Sequence, residues 1–175
     1  MSKYKRNTDK KGDQYESSPK ILDQILDELD PEKHILFEPF FGSGYSTNYM
    51  RSKGFEVIEN EYTDFFDNLT LPTLTGPTKK EIVLVSNPPF SKKKAILAKL
   101  SELGVTKFAL LLPIGTVTLK YFDNYINHYH IQLILHKGRA KFLDPTTHNT
   151  VKGSTSFDVA WVCANLNLSK DLLFK

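Results

Sequence analysis

A chain of 175 residues, 40% hydrophobic and 25% charged, has room for one globular domain with its own core and no room for a second full one. The single cysteine, Cys163, excludes an intrachain disulfide framework and a cysteine-paired zinc site, so a reducing, cytoplasmic setting is the default expectation. The formal charge of +3 permits a polyanionic partner without demanding one; no apolar stretch of membrane-spanning length and no basic leader with an apolar segment is visible, so neither a membrane span nor a secretion signal is expected.

Residues 1–17 carry Lys3, Lys5, Arg6, Lys10 and Lys11 among polar side chains and read as a flexible basic segment, either an inert tail or a loose arm. A single domain is expected over 18–175. Ser18 can cap a helix, Pro19 suits its first turn, and Ile21, Leu22, Ile25, Leu26 and Leu29 fall on one face at helical spacing until Asp30-Pro31. A buried strand over 34–38 runs into Pro39-Phe40-Phe41-Gly42-Ser43-Gly44, followed by a helix over 45–53 that Gly54 stops. Residues 55–59 and 82–86 form two further strands, separated by a loop over 67–80 with Pro72, Gly76 and Pro77. Ser91 can cap a helix running to Leu103 and stopped by Gly104. Residues 107–112 form a buried strand ended by Pro113. A helix between Thr116 and Tyr125 and strands over 131–135 and 159–166 complete the pattern.

Strands alternating with helices in this way predict an α/β fold: three layers, Rossmann-like, with a mostly parallel sheet and an antiparallel last strand. Ligands in such sheets lie at the carboxyl ends of strands, where both unusual motifs of this chain fall, so residues 38–44 and 87–90 are expected to face one crevice.

In Asn87-Pro88-Pro89-Phe90 neither proline has a backbone N–H, so the bend offers the Asn87 side-chain oxygen and the Pro88 carbonyl without competing local donors. Two acceptors beside an aromatic ring match the two hydrogens of an exocyclic amine on a planar base. Gly42-Ser43-Gly44 lets the backbone approach a ligand that a Cβ would exclude, though Gly-x-Gly alone equally describes a tight turn between strand and helix. It lacks the third glycine of the dinucleotide fingerprint and the Gly-Lys-Ser/Thr ending of a phosphate loop, which disfavours a dinucleotide or nucleoside triphosphate.

Glu38-Pro39-Phe40-Phe41-Gly42-Ser43-Gly44 followed by Asn87-Pro88-Pro89-Phe90 resembles the S-adenosylmethionine-dependent amino-methyltransferases, and among them the DNA adenine-N6 methyltransferases, in order and spacing. The resemblance implies the methyltransferase form of the fold, with Glu38, Pro39, Phe40, Gly42 and Gly44 in the cofactor turn and Asn87, Pro88, Pro89 and Phe90 as the catalytic loop. It also implies that Tyr15, Ser18 and Pro19 contact the methionine end of the cofactor. Glu61, with Glu59 as rival, would hold the ribose, and Asp64 with Phe65 would meet the adenine ring. For Phe65 and Phe66 plain core packing is the competing reading, with Asp64 then a turn residue. The stretch 64–71 is short for the strand the family has there, so the sheet is expected to lack or abbreviate one.

The implied reaction transfers a methyl group to the N6 amine of adenine in nucleic acid, DNA in preference to RNA. The rivals are guanine-N2 methylation of RNA, glutamine-N5 methylation of protein, and a non-catalytic subunit that binds nucleic acid or an active partner. Lys92, Lys93 and Lys94 oppose the dipole of the helix they begin, which suggests phosphate contacts, with a solvated run as the plain alternative. The polar stretch 137–156, with Arg139, Lys141, His148, Asn149 and Lys152, is the candidate for target recognition in the absence of a separate large recognition domain; a partner subunit could also supply it. The five histidines are scattered without metal-ligand spacing, so no metal is expected.

Overall fold

The structure is a computed structural model. It describes residues 15–60, 64–66, 71–72, 79–126, 128–151 and 158–175. Glu61, Lys152 and the basic stretch 1–14 therefore lie outside the described residues, as does most of the expected 67–80 loop.

A seven-stranded sheet forms the centre, and its spatial order is β3(Glu56–Glu59), β2(His34–Glu38), β4(Glu81–Ser86), β5(Phe108–Pro113), β8(Val159–Ala164), β6(Ile131–Leu135), β9(Leu172–Phe174). Neighbours from β3 to β5 are parallel, β8 is antiparallel to both β5 and β6, and β9 is parallel to β6. Strand β3 is an edge, and the described residues between β3 and β4 add no strand.

Alternation along the central strands divides the core into two layers, because successive side chains leave a strand on opposite faces. Leu36, Val83, Val85, Ala109, Leu111, Trp161 and Cys163 point to one face. There they meet Ile21, Leu22, Ile25 and Leu26 of α1(Pro19–Leu26) and Met50 of α2(Tyr45–Ser52). Phe37, Leu84, Phe108, Leu110, Leu112 and Val162 point to the other. Ile96, Leu97 and Leu100 of α3(Lys93–Glu102) cover them, with Phe122 and Tyr125, the latter on α4(Asp123–Ile126). Each fully buried aliphatic side chain contributes about 1.5–3 kcal/mol. Helices on both faces of a mostly parallel sheet make the three-layer Rossmann-like arrangement. Trp161 ties two layers by a polar contact as well, its Nε1 donating to the Ile21 carbonyl at 3.0 Å.

The structure departs from the sequence expectations in several places. Of the segment expected to be flexible, Glu16–Ser17 form a short strand, β1, paired antiparallel with β7(Phe142–Leu143), so the ordered domain starts before residue 18. Strand β9 follows the expected last strand and runs parallel to β6, so the antiparallel strand is β8 and not the last one. Strand β8 itself stops at Ala164, short of the expected 166, because Asn165 and Asn167 take positive φ of 52° and 55°. The helix expected between 116 and 125 is split into 3-10 turns at Ile114–Thr118 and Lys120–Phe122 and the single turn of α4. Helix α3 begins at Lys93 after a 3-10 turn over Phe90–Lys92, so Ser91 lies in that turn and does not cap it.

Candidate active site

Strands β2 and β4 are parallel neighbours, so their carboxyl ends carry Glu38 and Ser86 to the same rim of the sheet. Glu38 is buried, 3% exposed, and its Oε1 accepts from the Ser86 hydroxyl and from the Phe40 N–H at 2.9 Å. The carboxyl therefore joins the two motifs from below. Burial disfavours its charged form and pushes its pKa up to about 8, against the lowering effect of the bonds from Ser86 and Phe40.

Above Glu38 the chain turns through Gly42 and Gly44, whose φ values of 62° and 84° belong to the left-handed region that glycine enters without steric cost. Gly44 N–H closes the turn on the Phe41 carbonyl at 2.9 Å, and a Cβ on Gly44 would meet Phe41 Cζ at 2.8 Å. Helix α2 starts immediately afterwards, with Gly44 as its N-cap.

Pro88 is buried, whereas Asn87, Pro89 and Phe90 are half-buried. Asn87 Nδ2 donates to the main-chain carbonyl of Tyr15 at 3.0 Å, which fixes the amide and leaves Oδ1 as its accepting end. Phe142 of β7 lies between two rings: its centroid is 6.3 Å from that of Phe90, edge to face, and 6.3 Å from that of Tyr15. The pairing of β1 with β7 therefore holds Tyr15 and the ring behind Phe90 in one frame.

Tyr15, Glu38, Pro39, Phe40, Gly42, Gly44 and the loop 87–90 are thus gathered at the rim formed by the carboxyl ends of β2 and β4. Ser18 is the N-cap of α1 through its main-chain carbonyl, which accepts from Ile21 and Leu22 at 2.9 and 3.0 Å, and Pro19 occupies the first helical position. Together they start the helix that follows Tyr15 and β1 in the chain.

Phe65 packs as the competing core reading has it. It is 4% exposed, lies in the core and stacks on Phe40 with centroids 4.4 Å apart. Asp64 Oδ1 accepts from the Phe66 N–H at 2.8 Å, a turn-forming contact. Phe66 is the ring that opens outward, onto a shallow depression of about 600 Å³ lined also by Ser91, Lys92, Lys94, Ala95 and Ala98. Glu59 is engaged by Arg51, Oε2 to Nη1, at 3.0 Å.

The three lysines diverge. Lys92 Nζ sits 5.6 Å from the Phe66 ring centroid and Lys94 Nζ 5.8 Å from that of Tyr121, while Lys93 Nζ donates to the Phe90 carbonyl at 3.4 Å. Arg139 and Lys141 are exposed on either side of buried Ala140, on the approach to β7.

Four residues of this region escaped the sequence reading of the site: Glu16, Tyr45, Phe142 and, as to its role, His148. Glu16 accepts from the Ser43 hydroxyl with Oε1, and its Oε2 is 3.0 Å from His148 Nδ1. The His148 ring stacks on Tyr45 with centroids 5.1 Å apart. Burial, reinforced by the Glu16 charge, raises the Tyr45 pKa.

No protein-family model and no curated protein sequence matches the chain. Among solved structures it is similar to a dimethyladenosine transferase from Plasmodium falciparum, at 12% sequence identity and a TM-score of 0.49. The match covers 85% of this chain and 62% of that one, so the present chain spans less than two thirds of that protein.

Proposed function

We propose that the chain is an S-adenosylmethionine-dependent methyltransferase acting on the exocyclic N6 amine of adenine in nucleic acid, with DNA preferred over RNA. The observation that carries this reading is the bond from Asn87 Nδ2 to the Tyr15 carbonyl. Turning Nδ2 toward that carbonyl orients Oδ1 as the acceptor, to act with the Pro88 carbonyl that follows it in the loop. The preference for DNA rests on the likeness of the two ordered motifs to DNA adenine enzymes.

The residues present fit the cofactor. Gly42 and Gly44 present bare backbone in the turn beside the carboxyl end of β2, with the Ser43 hydroxyl drawn to Glu16, and Ser17 Oγ, on the strand that carries Tyr15 into the site, is buried with no hydrogen-bond partner among the described residues. Tyr15, Phe40 and the turn 42–44 would hold it, and when bound it supplies a methyl group on a sulfonium centre.

The chain's own residues then have an electrostatic task. The amine lone pair of adenine is delocalised into the ring and is a poor nucleophile. Asn87 Oδ1 and the Pro88 carbonyl accept its two hydrogens, favour a pyramidal nitrogen and stabilise the positive charge that develops on it. Phe90, braced edge to face by Phe142, fixes the plane of the base, so that alignment rather than a strongly basic side chain lowers the barrier. A base within a duplex must leave the stack to reach this pocket, at a cost of a few kcal/mol.

The test is incubation of the protein with isotope-labelled S-adenosylmethionine and duplex DNA, single-stranded DNA, RNA or protein, followed by digestion and mass spectrometry, with Asn87→Ala as control. N6-methyladenine that disappears in the variant is the expected product. N2-methylguanine or methylglutamine would move the assignment to another amine, and a chain that binds no cofactor would be a non-catalytic subunit.

A further inference from the structure

Three segments far apart in the chain meet on the outer side of the glycine turn: β1, the turn with the start of α2, and the segment 142–151. Glu16 stands at the junction with its side chain 10% exposed, one oxygen on the Ser43 hydroxyl and the other 3.0 Å from His148 Nδ1. His148 also lays its ring on Tyr45, the first residue of α2, with planes 23° apart.

The backbone of the 142–151 segment is arranged to deliver that ring. Asp144 Oδ1 accepts from the N–H groups of Thr146 and Thr147, both at 2.9 Å. The Asp144 main chain closes the turn from both sides, with His148 N–H to its carbonyl at 2.8 Å and its own N–H to the Asn149 carbonyl at 2.9 Å. His148 is thereby held at a φ of 55°. A residue whose backbone is kept in a sparsely populated region by so many bonds points to a role for the place it occupies. The turn it touches needs an outside restraint, because Ser43 lies between two glycines at positive φ, where the chain is freest.

We propose that Glu16 and His148 are positioning residues that latch the tip of the 142–151 segment onto the glycine turn. This segment, which carries His148 and Asn149 of the candidate recognition stretch, thereby sets the geometry of the turn that would hold the cofactor. The identity of that ligand rests on the function proposed above; the latch itself does not.

The experiment compares the wild-type chain with Glu16→Gln, His148→Gly and the double variant. Glycine accepts a φ of 55° without strain, so His148→Gly deletes the ring while leaving the backbone free to keep its path. Glutamine can accept at only one of the two positions at which the carboxylate receives Ser43 and His148. Amide hydrogen exchange over 43–48, calorimetric binding of S-adenosylhomocysteine, and KM and kcat are read in variants whose melting shows them folded.

Each single variant is expected to speed exchange over 43–48 and to weaken binding by about threefold or more. KM for S-adenosylmethionine should rise by more than kcat falls, and the double variant should match the worse single one, since either change opens the same latch. Ser43→Ala attacks it from the turn and should behave alike if either variant fails to fold. Unchanged exchange over 43–48, or losses that add in the double variant, would overturn the latch. A wild-type chain that binds no S-adenosylhomocysteine would defeat the cofactor reading instead, and exchange would still decide the latch.

Discussion

Asn87 and Tyr15, 72 positions apart in sequence, are joined by a 3.0 Å bond from the side-chain amide nitrogen to the main-chain carbonyl. The bond orients the group on which the proposed chemistry depends. Asn87→Ala removes a preorganised acceptor whose benefit grows as charge develops on the amine, so kcat should fall by about 10²–10³. Single-turnover rates at saturating cofactor check it, and a loss confined to KM would mean that Asn87 binds without assisting the transfer.

Glu38 should make the stability of the protein fall as pH rises. Its pKa is about 8 in the fold against an ordinary value of 4.5, so between these the folded chain binds a proton that the unfolded chain does not. The resulting contribution is complete below about pH 4.5 and is lost as pH rises through about 8, at roughly 1.4 kcal/mol per pH unit within the window. Glu38→Gln keeps an acceptor for Ser86 and Phe40 and cannot ionise. Denaturant titrations from pH 5 to pH 8 should show the wild type losing stability relative to this variant, whereas parallel profiles would show that the carboxyl is ionised in its site.

Gly44→Ala should destabilise the fold. At a φ of 84° an L side chain is strained, and its Cβ would stand 2.8 Å from the Phe41 ring. A loss of about 1–3 kcal/mol is expected from the backbone alone. Because Gly44 also caps α2, circular dichroism melting should report the loss; an unchanged midpoint would mean that the turn relaxes freely.

Lys92 and Lys94 extend over aromatic rings on the flank of α3 near the candidate catalytic loop, whereas Lys93 is bonded back to the Phe90 carbonyl. If the outer two meet phosphates, replacing either with glutamine should reduce the slope of log K against log salt for duplex DNA by about 0.9. Fluorescence anisotropy over a salt series measures it, and an unaltered slope would assign these lysines to the rings alone.

Much of this architecture was legible because periodicity is a local property. The helical face of Ile21, Leu22, Ile25 and Leu26 and the strands around Val83 and Leu110 announce themselves within a few residues. What could not be read were features created by partners distant in sequence. Strands β1 and β7 are two residues each, too short for any period, and exist because they pair with one another. The contact between Glu16 and His148 spans 132 positions and leaves no mark in either neighbourhood. Phe65 and Phe66 are indistinguishable by composition, and the stack on Phe40 decides which of them turns inward.

Strand β8 has a consequence for how the chain is made. Every residue from Val159 to Ala164 is buried, and the strand lies between β5 and β6, both synthesised before it. Until it emerges, those two strands present bare edges that invite pairing with other chains. The sheet therefore closes late, by inserting a strand into its middle through contacts remote in sequence, which slows folding. A nascent chain halted before residue 158 would hold the glycine turn and the Asn-Pro-Pro-Phe loop yet lack the strand that joins the halves of its sheet, and aggregation is its expected fate.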